Sequence, residues 1–116
     1  MIHIVIADPN ETYSRSLKTV LEQIEGFKVM TFDCDKNGMI KSDDEPVDIL
    51  LIDIGLFMDS TNLIAGELSG KNQSLKILLL AMYEDDLVSG FEKAEVILKS
   101  DGKKKFESRI RQMAGA

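Results

Sequence analysis

Five short runs rich in Ile, Val and Leu recur along the chain, and their recurrence most limits what it can fold into. They are IHIVIA (2–7), KVMTF (28–32), DILLIDI (48–54), LKILLLAM (75–82) and EVILK (95–99). Short apolar runs of this composition are strand chemistry. Between them the apolar residues fall at helical spacing. Leu17, Val20, Leu21 and Ile24 make one stripe, Leu87, Val88, Phe91 and Ala94 a second, and Phe106, Ile110 and Met113 a third. Segments 35–43 and 59–69 are further, weaker helical expectations, the first polar, short and closed by Pro46. No repeat, low-complexity tract or linker interrupts the alternation. With 116 residues, 44% of them apolar and 29% charged, the chain is expected to be a single domain, 1–116, with one core.

Strands alternating with helices imply a parallel sheet, because each parallel crossover needs a covering element. For five strands the expected form is a flavodoxin-like (βα)5 doubly wound three-layer sandwich of strand order 2-1-3-4-5. That architecture says where chemistry can sit, since ligands bind beyond the carboxyl ends of such strands. The third run, within PVDILLIDIGLF, carries Asp53 near its end. An unpaired charge held away from water costs several kcal/mol, so Asp53 belongs where the strand leaves the core. The first strand runs into Asp8, the fourth into Ala81, Met82 and Tyr83, and the fifth into Lys99. Two acids and a base therefore converge on one sheet edge. Asp8 and Asp53, on neighbouring strands, would repel each other, and a hard cation such as Mg²⁺ is the usual remedy.

Composition narrows the function classes. The chain has 14 basic and 20 acidic residues, a formal net charge of −6, which does not advertise a nucleic-acid surface. The cluster Lys103, Lys104, Lys105 reads as a solvated face. The lone Cys34 has no disulfide partner and no local activating base, and no targeting peptide or membrane-length apolar span is visible. The expected location is the cytoplasm. His3 lies at the amino end of its strand, away from the site. Met30, Met39, Met58, Met82 and Met113 read as core gap-fillers.

The frame IVIADPNETYSRSLKTVLE, then VDILLIDIGL, KILLLAMYEDD and VILKS, resembles the receiver domain of bacterial two-component response regulators over the whole chain. The opening is most similar to receivers that precede helix-turn-helix output domains. The resemblance implies that Asp53 accepts a phosphoryl group from a histidine kinase or phosphotransfer protein. It makes Asp8, Asp53 and the Gly55 backbone carbonyl ligands of a weakly held Mg²⁺, and Lys99 the partner of the phosphoryl oxygens. It also implies a regulatory phosphoacceptor rather than an enzyme, an output such as transcription carried by a domain outside this chain, and a homodimer surface through 84–113. That surface sets Glu84, Asp85 and Asp86 against Lys103, Lys104, Arg109 and Arg111. Neither direct nucleic-acid binding nor a membrane role is implied.

The departures from the family pattern are specific. The second acid after strand one is replaced by Pro9, which offers no side-chain oxygen. The switch hydroxyl ending strand four is replaced by Ala81, and the switch aromatic three residues before the lysine by Val96. Leu56 and Phe57 stand where a Met-Pro pair is usual, and the segment before Lys99 is about two residues short of the common pattern. Three functions on this one fold remain open: a phosphorylatable receiver, a degenerate receiver serving as a phosphorylation-independent interaction or dimerisation module, and a flavin-binding electron carrier. The last is the weakest, because DPNETYS is no glycine-rich phosphate cradle and its acids would repel an anionic cofactor.

Overall fold

Strands β1 (Ile2–Ala7), β2 (Phe27–Thr31), β3 (Ile49–Asp53), β4 (Lys76–Ala81) and β5 (Glu95–Leu98) pair in parallel in the order β2-β1-β3-β4-β5. This is the flavodoxin-like order expected from the sequence. The computed structural model describes residues 1–31, 47–58, 75–83 and 95–115. The helical expectations over 35–43, 59–69 and 87–94 lie outside these residues.

The central strands show no polar-apolar alternation because both of their faces are covered. Ile4, Ile6, Ile49, Leu51, Leu78 and Leu80 face one side, where they pack with Leu17, Leu21, Phe106 and Ile110. Val5, Ala7, Leu50, Ile52 and Leu79 face the other, with Val47 and Phe57. The first side is closed by helix α1 (Glu11–Glu22) and helix α2 (Lys103–Met113). Asn10 starts α1, its side chain accepting the Tyr13 N–H at 3.0 Å, and Glu11 in the first turn suits the positive helix end. The buried stripe of α1 is Ser14, Leu17 and Leu21. Val20, expected in that stripe, is only half-buried. After α1 the chain turns at Gly26 (φ 89), a conformation that favours glycine, and the Gly26 carbonyl accepts the Ile2 N–H at 2.7 Å.

Strand ends differ from the sequence expectation by about one residue, with one difference of consequence. The apolar run DILLIDI reads as strand to residue 54, but β3 stops at Asp53 and residues 54–58 are helical. The cause is local: Asp53 Oδ2 accepts the Leu56 N–H at 3.1 Å, capping that turn. No helix among the described residues is long and apolar enough to cross a membrane.

Candidate functional site

The parallel register sets the ends of β1, β3, β4 and β5 in one row. Ala7 pairs with Ile52, Asp53 with Leu80, and Ala81 with Leu98. The residues at or just beyond these ends are Asp8, Asp53, Ala81 and Lys99. The structure brings Asp8, Asp53 and Lys99 together: the Lys99 ammonium lies 2.7 Å from Asp8 Oδ2 and 2.8 Å from Asp53 Oδ1. Ala81, fully buried, contributes its carbonyl, which accepts the Lys99 N–H at 2.8 Å. Val96 is half-buried, packed against the second core cluster and paired in register with Leu79.

Each of the three charged groups is located by its own short segment. Asp8 is 4% exposed; its Oδ1 accepts the Asn10 N–H at 2.8 Å, and its carbonyl accepts the Ser14 hydroxyl at 3.3 Å. The Asp8–Pro9–Asn10 step thus turns the chain from β1 into α1 and fixes the carboxylate at the same time. Lys99 opens a turn closed by Asp101, whose Oδ2 accepts the Leu98 N–H at 3.0 Å and whose own N–H donates to the Leu98 carbonyl at 2.9 Å. Asp53 is held from the other side by the helical turn it caps. Gly55 sits in that turn, where an added Cβ would lie 3.2 Å from Asp53 Oδ2. The Gly55 carbonyl, expected as a metal ligand, belongs to this turn beside Asp53.

One ammonium between two carboxylates leaves a formal surplus of one negative charge. Burial pulls the Lys99 pKa down, but the contacts with Asp53 and Asp8 and their charges outweigh it, so the net shift is upward from the ordinary lysine value. The short contact to Asp8 Oδ2 is a buried ion pair, and that oxygen has no partner besides the ammonium among the described residues. An anionic oxygen in that state is the kind a hard cation takes. Asp8 and Asp53 thus fit Mg²⁺ in chemistry, but the set is short: Pro9 adds no oxygen, and no group of three His, Cys, Asp or Glu among the described residues could hold a metal ion.

Tyr13 was not among the residues singled out by sequence. It stands in the first turn of α1, half-buried, with its hydroxyl 3.3 Å from the Lys99 carbonyl and the Lys99 ammonium 5.2 Å from its ring centroid. Burial, with the Asp8 and Asp101 charges, pushes its pKa well above the usual tyrosine range, so the hydroxyl remains a donor. Nothing in the local pattern marks it, because its partners are 86 residues away in sequence.

The acidic half of the expected pairing surface, Glu84, Asp85 and Asp86, lies outside the described residues. Much of the basic half is engaged within the domain. Arg111 Nε meets Glu107 Oε2 at 3.0 Å, its NH2 donates to the Glu25 carbonyl at 2.9 Å, and its guanidinium lies 5.0 Å from the Phe27 ring centroid. Arg109 reaches the Val96 carbonyl at 3.4 Å, and Lys103 Nζ meets Gln23 Oε1 at 3.3 Å.

The whole fold is that of response-regulator receiver domains. A response regulator from Thermotoga maritima matches with a TM-score of 0.73 at 20% identity, over 100% of this chain and 99% of that one. A receiver-domain protein from Clostridium thermocellum matches with a TM-score of 0.75 at 18% identity, over 99% of this chain and 95% of its own. An atypical orphan response regulator, described as having a phosphorylation-independent regulatory mechanism, matches at 0.68 and 16% identity, over 98% and 96% of the two chains. No family model and no curated protein matches the sequence.

Proposed function

We propose that this chain is a response-regulator receiver domain, acting in the cytoplasm, in which Asp53 accepts a phosphoryl group from a sensor histidine kinase or phosphotransfer protein. The observation that carries this reading is the Lys99 ammonium set between Asp8 and Asp53 at the carboxyl edge of the sheet, 2.7 and 2.8 Å from their oxygens. An Asp53 oxygen attacks phosphorus while the bond from phosphorus to the donor's histidine nitrogen breaks. The nitrogen keeps that electron pair, and an acyl phosphate remains on Asp53. Lys99 then pairs with the phosphoryl oxygens as a point charge. Asp8 and Asp53 are the side chains that would hold Mg²⁺, which when bound supplies charge neutralisation at the transferring oxygens. With two carboxylates and no third, binding is expected to be millimolar or poorer.

The domain is on this reading a regulatory phosphoacceptor, whose only chemistry is its own phosphoryl transfer. Its output is transcription, through a further domain. Residues 84–113 form the surface for pairing with a second copy or a partner.

The test is incubation with a small phosphodonor and Mg²⁺, read by intact-protein mass. One phosphoryl group is expected on the wild type and none on Asp53→Asn. Labelling that persists in Asp53→Asn removes Asp53 from the role. A folded wild type that takes no label turns the reading to a phosphorylation-independent interaction module, the alternative favoured by Ala81 and Val96 at the switch positions.

A further inference from the structure

We propose that Tyr13 is a positioning residue for Lys99, holding its ammonium between Asp8 and Asp53. The inference deepens the receiver reading and depends on it only where phosphoryl transfer is measured.

A lysine ammonium ends a long flexible stem and is strongly hydrated, so a 13% exposed side chain next to the sheet edge has a competing state in water. Something must favour the inward state. The two carboxylates attract the ammonium from 2.7 and 2.8 Å, but a point charge on a flexible stem can also be met by water. Tyr13 acts on both ends of the lysine. Its hydroxyl donates to the Lys99 carbonyl at 3.3 Å, which with the Lys99 N–H to Ala81 contact at 2.8 Å ties the backbone on both sides. Its ring, with the ammonium 5.2 Å from the centroid, lies within the range where the negative ring face attracts a cation.

Tyr13 is itself well placed to do this. Its N–H is bonded to the Asn10 side chain at 3.0 Å, and Asn10 N–H is bonded to Asp8 at 2.8 Å. The ring that orients the lysine and the carboxylate that receives it therefore hang from one five-step segment, Asp8 to Tyr13. The side chain also packs against the buried core that contains Leu17 and Phe106. The residue that holds the ammonium in place is therefore on α1, outside the strands that carry the charged groups.

The experiment compares Tyr13→Phe, Tyr13→Leu and Tyr13→Met with the wild type, using the ¹⁵N ammonium resonance of Lys99 as the main readout. A held ammonium exchanges slowly with water and gives a visible signal. Phe keeps the ring and is expected to keep the signal, with exchange within about threefold of wild type. Leu and Met lack the ring and are expected to speed exchange at least tenfold or lose the signal. Met serves as the second ringless variant if Leu fails to fold, and circular dichroism checks the fold of each. Labelling by the small phosphodonor should follow the same order, with Phe within about twofold and the ringless variants at least fivefold slower. Wild-type exchange in a folded ringless variant overturns the proposal, whereas a Phe variant as fast as Leu supports it with the hydroxyl, not the ring, as the restraint. Ammonium exchange that follows the expected order with no labelling in any protein sinks the phosphoacceptor reading and leaves the positioning role standing.

Discussion

Replacing Lys99 by methionine keeps an apolar stem of similar length and removes only the charge. In the wild type that charge pairs with two carboxylates at 2.7 and 2.8 Å, with side chains 1% exposed for Asp8 and 17% for Asp53. Breaking a buried pair by removing one partner costs about 3–5 kcal/mol, because the charge left behind cannot be solvated. Two features place this case at the lower end. Asp8 retains the Asn10 N–H, and Asp53 retains the Leu56 N–H and some contact with water. A loss of about 3 kcal/mol is therefore expected, a large share of the roughly 5–15 kcal/mol typical of a domain. Urea unfolding followed by circular dichroism should show it as a midpoint lower by about 1–3 M, for a slope of about 1–3 kcal/mol per M.

Two further arms make the interpretation specific. The Lys99 pKa is raised in the folded state, so its stabilisation is fully present below the ordinary lysine value and is lost as pH rises through the raised one. The gap between wild type and Lys99→Met should hold from neutral pH up to the ordinary lysine value, about 10.4, and close above it. The vacated carboxylates should also attract Mg²⁺ better, so millimolar Mg²⁺ should raise the midpoint of the variant more than that of the wild type. Metal at ten times its dissociation constant would restore about 1.4 kcal/mol. A loss under about 1 kcal/mol, the worth of an exposed pair, together with equal responses to Mg²⁺, would refute the picture of a closed ion triad.

Two other outcomes are expected. Pro9→Asp restores an oxygen ligand beside Asp8 and should tighten Mg²⁺ binding at least tenfold, read by amide shifts near residues 8, 53 and 99; unchanged affinity would show that the ligand count is not what limits the site. Beryllofluoride, a phosphate mimic, should shift residues 53–60 and 81–85 but leave 95–113 and the sedimentation coefficient nearly unchanged, since Ala81 has no hydroxyl to draw inward and Val96 no ring to relocate; a monomer-to-dimer shift would show that another coupling route exists.

The strands and the acid-base triad were legible because both follow from local pattern plus one topological rule. Runs such as ILLID and KILLLA are apolar on both faces, which only a covered parallel sheet uses. Once the order 2-1-3-4-5 is accepted, Asp8, Asp53 and Lys99 have nowhere to be except on one edge. Two features were hidden for opposite reasons. The stop of β3 at Asp53 is local, but Ile54 is as apolar as the strand before it, and only the Asp53 to Leu56 hydrogen bond distinguishes cap from continuation. Tyr13 is hidden because its role is entirely non-local, set by how α1 lies against the turn after β5.

The same distinction bears on how such a pocket could report its state. In a site whose signal runs along β4 and β5, the residues that matter lie on the strands, and Ala81 and Val96 at those positions would leave the edge without that route to the surface beyond it. The Lys99 ammonium contacts Asp8 and Asp53 and faces the Tyr13 ring, while its carbonyl accepts the Tyr13 hydroxyl from α1. A phosphoryl group on Asp53 would draw that ammonium away from Asp8, and the ring that favours its present place would resist. That contest would involve α1 and the Asp8–Asn10 turn, to which Tyr13 and Asp8 belong. A ligand moves an equilibrium only through contacts that differ between its states, and among the described residues the contacts of Lys99 with Asp8, Asp53 and Tyr13 are ones that a new charge on Asp53 would alter.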